Sequence, residues 1–178
     1  MRMLQVYASI LRASHMRAPL ILCVLGVSLW SSATGARQAA PSGPLPAELR
    51  SHLQNGRFDV VTSVRGLPLG VRTELQSLFG TPTLDIAEPD APFRTSGTGD
   101  PALPLRRMAA AACSYRDCLM YYERGGSPDR TWRVMLFHWT PAATQFEWGG
   151  TAPGGLATIE AVRSAVLSGA ITTATSPW

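Results

Sequence analysis

Apolar residues recur at helical spacing in three stretches of the chain. Between Pro46 and Gly56 the leucines stand four residues apart, and these two flanking residues suit the start and the end of a helix. Two later stretches show the same kind of apolar stripe. The pattern predicts about three helices: 47–55, the stretch that Pro68 opens and Gly80 ends, and 156–168 ahead of Gly169.

Between residues 106 and 148 the pattern changes to short β-rich runs separated by turn residues. The run 106–113 would pair ahead of three clear strands, although its alanines are weak strand formers and a helix is the alternative there. Residues 58–64 are also β-rich and are a further candidate strand. We expect an α+β fold, an antiparallel meander of about four strands (roughly 106–148) packed with about three helices. The three clear strands are 118–124, 131–139 and 144–148.

The strand predicted at 131–139 is apolar on both faces. A half-solvated strand alternates apolar and polar residues, and 134–139 does not. We expect this strand to be covered on both sides, by helices, by the Pro/Gly-rich loop at 88–105, or by a partner or ligand. The loop lengths suggest a register in which Trp139 opposes Thr144 and Tyr122 opposes Trp132.

The first 36 residues have the pattern of a secretory signal peptide. A positively charged start precedes a mostly apolar run at 18–30, and small residues follow it. The run is shorter than the roughly 20 apolar residues of a membrane-spanning helix. We expect a signal peptide at 1–36, a flexible linker at 37–46 and a single small domain at 47–178. Cleavage after Gly35 or after Ala36 and a start at Met1, Met3 or Met16 all stay open.

Composition narrows the class of protein further. The chain has 178 residues, 46% of them hydrophobic, and a formal net charge of +4. All basic residues are arginines, which we interpret as the bias of a GC-rich bacterial genome. Much of the positive surplus lies in the leader, so the rest of the chain is nearly neutral and lacks the basic stripe that nucleic-acid binding needs. We expect a periplasmic or secreted protein with no stable membrane span after signal cleavage.

Two cysteines remain after the leader, Cys113 and Cys118. An even pair in an exported chain suggests a disulfide, which requires residues 114–117 to reverse the chain between two strands. A redox pair normally has two intervening residues, and a zinc site would need two further ligands. Two free buried thiols are the remaining alternative. We expect no metal site and no cofactor.

The candidate chemistry is sparse. His138 and Glu147 come close in the expected register, and a carboxylate beside an imidazole can tune it for proton transfer; a purely structural histidine is the plainer interpretation. Asp117, Glu123 and Asp129 lie near turns, where we interpret them as solvated charges.

Large aromatic side chains on the predicted sheet offer contact area for a partner. We therefore expect a non-catalytic binding or structural module whose partner is a protein or a small apolar ligand. The alternative is a small hydrolase-like enzyme that uses His138 and Glu147, and whether the chain is an enzyme stays open. The candidate binding residues are Tyr122, Trp132, Trp139 and Trp148.

Overall fold

The computed structural model describes residues 43–126, 130–174 and 178. The expected signal peptide and most of the expected linker, together with Asp129, lie outside these residues. A 3₁₀ turn at Val64–Gly66 precedes α2. The helices and strands are α1 (Ala47–Asn55), β1 (Asp59–Val60), α2 (Leu69–Phe79), β2 (Arg106–Cys113), β3 (Asp117–Arg124), β4 (Thr131–Trp139), β5 (Thr144–Ala152) and α3 (Ile159–Ser168).

The strands form one antiparallel sheet in the order β1-β2-β3-β4-β5. The α+β class and the meander are confirmed, with five strands in the described residues where about four were expected. The additional strand is β1, which takes two residues of the β-rich run 58–64 and is followed by the 3₁₀ turn at Val64–Gly66. The alanine-rich β2 is a strand, so the helical alternative is wrong; the large side chains of β3 opposite it compensate for its weak propensity.

The helices end at glycines, and α3 begins at a threonine cap. Gly80 and Gly169 have φ values of 65° and 79° and end α2 and α3 in the left-handed region, where glycine is unstrained. The side chain of Thr158 accepts a hydrogen bond from the Ala161 amide at 3.2 Å. This cap makes α3 begin at Ile159, three residues later than the apolar stripe suggests.

Helices cover the sheet on both sides. On one side, the α2 face, Val71, Leu75 and Phe79 pack against the sheet. On the other, the α1/α3 face, leucines of α1 and valines of α3 do so. The central residues 134–137 of β4 are essentially inaccessible to solvent, so the expectation that this strand is covered on both sides is confirmed, and the chain itself supplies the cover.

The expected register is right at one end of β4 and wrong at the other. Trp139 opposes Thr144 as expected, but Tyr122 opposes Arg133, one residue away from the expected partner. The slip exchanges the faces of β3 relative to β4. A bulge in the β4–β5 pairing then places Phe146 on the α2 face and Trp148 on the α1/α3 face.

The loop at 88–105 contains no helix or strand but is anchored along its length. The Glu88 carboxylate accepts a hydrogen bond from the Val64 amide at 2.6 Å, and Phe93 is buried. Gly125 lets the loop approach the β3–β4 turn, because a Cβ there would lie 2.0 Å from the Arg94 carbonyl oxygen. The loop therefore belongs to the packed body of the domain.

Candidate functional site

The sulfur atoms of Cys113 and Cys118 lie 2.08 Å apart, the bonding distance of a disulfide. The two residues face each other across the β2–β3 pair. The chain reverses at 114–117 because Ser114 organises the turn: its hydroxyl accepts from the Asp117 amide at 2.9 Å, and its amide donates to the Asp117 carbonyl at 2.7 Å. A covalent bond and a hydrogen-bonded turn thus fix this corner of the sheet.

Asp117 occupies the end of that turn and is buried, with a side chain only 4% exposed. Two histidines face its carboxylate. His52 of α1 places Nδ1 3.4 Å from Oδ2, and His138 of β4 places Nδ1 3.7 Å from Oδ1. The interpretation of Asp117 as a solvated charge is therefore wrong, since a helix and a neighbouring strand close over it.

The acidic neighbour of His138 is Asp117, its direct partner across β3 and β4. In the described part of the chain no ion pair joins His138 to Glu147; Glu147 is the unpaired residue of the β5 bulge, and Gln145 is the residue opposite His138. The sequence contained a signal for the Asp117 contact, because the disulfide turn fixes where β3 begins. The approach of His52 had no such signal, since it depends on how α1 packs.

The four aromatic candidates do not share a surface. Tyr122 is fully buried on the α2 face, and Trp148 is buried on the α1/α3 face with its indole donating to the Gly43 carbonyl at 3.0 Å. Trp132 is half-buried and stacks on Tyr121, with ring centroids 5.0 Å apart. Trp139 is half-buried at the other end of β4. Most of the aromatic sheet forms the two cores.

Solvent-exposed apolar side chains gather elsewhere, around the sheet end that carries residues 59–60, 113–118 and 138–145, here called the disulfide end. Within the described residues the large exposed hydrophobic side chains are Val60 (64%), Leu69 (71%) and Tyr115 (83%). Val60 pairs with β2 one residue before Cys113, and Tyr115 lies in the disulfide turn. Val60 and Tyr115 therefore lie at this end, and Leu69 lines a groove that also contains residues 139–144.

A groove connects Leu69 to the same end. It has a volume of about 450 Å³ and lies between the start of α2 and the β4–β5 turn, with Trp139 and Pro141 in its wall. The Trp139 indole donates to the Ser114 carbonyl at 3.1 Å, which ties the groove to the disulfide turn. Exposed leucine, half-buried tryptophan and exposed tyrosine thus line neighbouring parts of one surface.

The opposite end of the sheet carries 106–107, 123–124 and 130–133, here called the arginine end. Glu123 is fully buried and accepts hydrogen bonds from Arg107 at 2.9 Å and Arg130 at 3.1 Å. Its interpretation as a solvated charge is also wrong, because two arginine side chains pair with its buried carboxylate.

Burial also governs titration at the arginine end. It raises the pKa of Tyr122 to about 12, although Arg106 and Arg133 oppose the shift. Burial lowers the pKa of Arg106, and the neighbouring Tyr122 and Asp85 counteract this. Arg106 donates to the Asp85 carboxylate at 2.6 Å and lies 3.9 Å from the centre of the Phe79 ring. These groups are therefore fixed parts of the α2 face.

Over residues 43–126, 130–174 and 178 no cluster of histidine, cysteine and acidic residues has the arrangement of a metal site. In the same part of the chain no helix has the length and apolarity that crossing a bilayer requires. A second groove of about 530 Å³, beside Trp148 and the end of α3, contains neither His138 nor Glu147.

No family model, no curated protein and no solved structure matches the chain.

Proposed function

We propose that the chain is an exported, non-catalytic recognition module, periplasmic or secreted, whose binding surface is the disulfide end of the sheet. The observation that carries this proposal is the position of Val60, Leu69 and Tyr115, the large exposed apolar side chains of the described residues. Exposed apolar surface beside a groove marks sites of interaction, and Trp139 links the groove of Leu69 to the turn that carries Tyr115. The aromatic faces that the sequence suggested are largely enclosed in the cores.

The construction of this end suits recognition. A disulfide and the Ser114 turn hold Tyr115 in a defined position, so little conformational entropy is lost when a partner binds. Tyrosine and tryptophan supply large contact areas, and Trp139 is half-buried beside the same turn. The partner is expected to present an apolar surface, on a protein or as a small ligand.

Site-specific photo-crosslinking in the producing cells tests the surface. A photoreactive residue at position 115 is compared with one at Thr98, an exposed position in the loop 88–105. We expect a discrete adduct from position 115 that Leu69→Ala weakens at least about fivefold, as truncation of an interface anchor does. Equal adducts from both positions, or none from position 115, would exclude this surface.

Export is a separate part of the proposal with its own test. The expected leader at 1–36 and the bonded pair Cys113–Cys118 both support it, because disulfides persist in oxidising compartments. Mass spectrometry of the purified protein before and after reduction should find an N-terminus near Gly35 or Ala36 and a gain of two hydrogens on reduction. An uncleaved chain in the cytosol with both thiols reduced would contradict export.

A hydrolase-like function is the second candidate, favoured by one observation. His138 is 34% exposed and directs Nδ1 toward the buried Asp117, an arrangement that orients an imidazole for proton transfer. Hydrolysis of p-nitrophenyl acetate by the purified protein is the test. A rate that His138→Gln abolishes and Glu147→Gln preserves would favour this function with Asp117 as the orienting acid. Loss in Glu147→Gln would restore the pair expected from the sequence, and rates equal in all variants would exclude both pairs.

A further inference from the structure

Three elements that are distant along the chain bring their titratable side chains to one point. His52 comes from α1, Asp117 from the start of β3 and His138 from the end of β4. The two imidazoles approach different oxygens of the same carboxylate, at 3.4 Å and 3.7 Å. Their side chains are 27% and 34% exposed, so protons can reach both rings from solvent.

The cluster is incompletely satisfied. In the described residues, Asp117 Oδ1 and His52 Nδ1 are buried and have no hydrogen-bond partner. A buried carboxylate that lacks donors is costly, and the cost falls sharply when a cation or a charge-assisted donor lies beside it. A proton on either imidazole supplies both, since an imidazolium donates through each ring nitrogen.

Among the described residues, the other charges near the cluster do not pair with Asp117. On α1, Glu48 lies 4.0 Å from His52 Nε2, is largely exposed and adds a second negative charge. On the β1 side, Asp59 is paired with Arg57 at 3.6 Å. Arg116 precedes Asp117 in the turn, and no ion pair joins the two in the described part of the chain. The histidines are therefore the groups that can offset the buried carboxylate.

We propose that His52, Asp117 and His138 form a proton-binding clasp that fastens α1 to the disulfide end. Proton uptake from solvent converts the contact between neutral rings and a carboxylate into an ion pair that spans the helix and two strands. We therefore expect the free energy of unfolding to rise as the pH falls from 8 to 5.5. This inference does not depend on the proposed function.

Urea unfolding of the purified protein at pH 8 and at pH 5.5, with Trp fluorescence as the readout, tests the clasp. We expect the folding equilibrium constant of the wild type to be about fivefold larger at pH 5.5, a change on the scale of one such interaction. Asp117→Asn should lose this difference. The matched control Asp59→Asn removes a neighbouring exposed carboxylate and should keep it.

The single variants His52→Gln and His138→Gln keep the test decisive if Asp117→Asn does not fold. Each should reduce the difference between the two pH values, and the double variant should abolish it. A wild type whose stability is the same at both pH values would overturn the proposal. So would a pH dependence that survives Asp117→Asn or the double histidine variant.

Discussion

The strand β3 carries a buried carboxylate at each end, and the two are neutralised differently. At the arginine end Glu123 accepts hydrogen bonds from Arg107 and Arg130 at 2.9 Å and 3.1 Å. At the disulfide end Asp117 faces His52 and His138 at 3.4 Å and 3.7 Å. Guanidinium groups keep their charge at all ordinary pH values, whereas imidazoles gain and lose theirs near neutrality. One strand therefore carries an ion cluster whose charges are fixed at one end, and at the other end a cluster whose charges depend on pH.

The two ends of the sheet also differ in how far their apolar side chains are exposed. The large exposed apolar side chains lie at or beside the disulfide end, whereas at the arginine end Phe93 is buried, with the Arg107 guanidinium 4.6 Å from the centre of its ring. An end that is to be recognised has to remain accessible, and its charges can then respond to the solvent. The arginine end behaves as permanent structure.

Glu123→Gln should produce the largest effect. Removing one partner of a buried ion pair typically costs about 3–5 kcal/mol, and we expect about 3 kcal/mol here because Arg130 is largely exposed. The loss of stability should be equal at pH 5.5 and pH 8, since the partners of Glu123 are arginines, which stay charged at both pH values. Urea denaturation at both pH values measures it. A loss that differs between the two pH values would remove the contrast between the ends.

Replacing both Cys113 and Cys118 with Ala should destabilise the protein by about 2 kcal/mol. This is the stabilisation expected when so short a loop is closed in the unfolded chain and its conformational entropy is reduced. The measurement is the urea midpoint, and reduced wild type serves as the control. If the variant keeps wild-type stability, the Ser114 turn alone fixes the disulfide end. Tyr115 crosslinking in the same variant would then show whether the bond matters for recognition.

Because Tyr122 is buried, the stability of the protein should fall in alkaline solution. Its pKa rises from near 10 in the unfolded chain to about 12 in the fold, because burial disfavours the phenolate. The stability it contributes is complete below pH 10 and is lost as the pH rises through 12. At pH 11 the loss should be about 1.4 kcal/mol.

Tyr122→Phe should be less sensitive than wild type to the change from pH 9 to pH 11 in urea denaturation. Tyr115→Phe, at an exposed position, is the control. Burial also raises the pKa of Tyr121, which remains in both proteins, so the difference between them isolates Tyr122. An equal alkaline loss in wild type and Tyr122→Phe would contradict the assignment.

The smallest effect is expected for Arg130→Gln, which should cost less than about 1 kcal/mol. Arg130 is largely exposed and Arg107 still holds the Glu123 carboxylate. The thermal midpoint in low and high salt measures it. A loss as large as that of Glu123→Gln would mean that both arginines are needed, and the fixed cluster would then be less redundant than its geometry indicates.

Local signals made much of the fold predictable. The Pro46 and Gly56 boundaries gave α1 its observed bounds, Gly80 and Gly169 ended their helices as expected, and the turn at 114–117 brought the two cysteines together. Each of these features depends on residues within a few positions of one another. Such signals need no knowledge of packing across the domain.

Features that depend on distant packing were not predictable. The expected β3–β4 register differed from the observed one by one residue. Both faces of both strands are apolar, so either register would bury similar side chains. Asp117 looked solvated because its cover comes from His52, far away along the chain. The surface formed by Leu69 and Tyr115 depends on how α2 and the sheet meet, which no local pattern specifies.

The meander also bears on how the chain folds. From β2 to β5 every strand pairs with the next one along the sequence across a short turn, so this part of the sheet can form through short loop closures. The seam between α1 and α3 differs, since Arg163 donates to the Leu53 carbonyl across 110 positions and Arg50 to the Leu167 carbonyl across 117. We expect kinetic experiments to find the hairpins ordered in the transition state and this seam formed last, so that mutations in it accelerate unfolding and leave the refolding rate nearly unchanged.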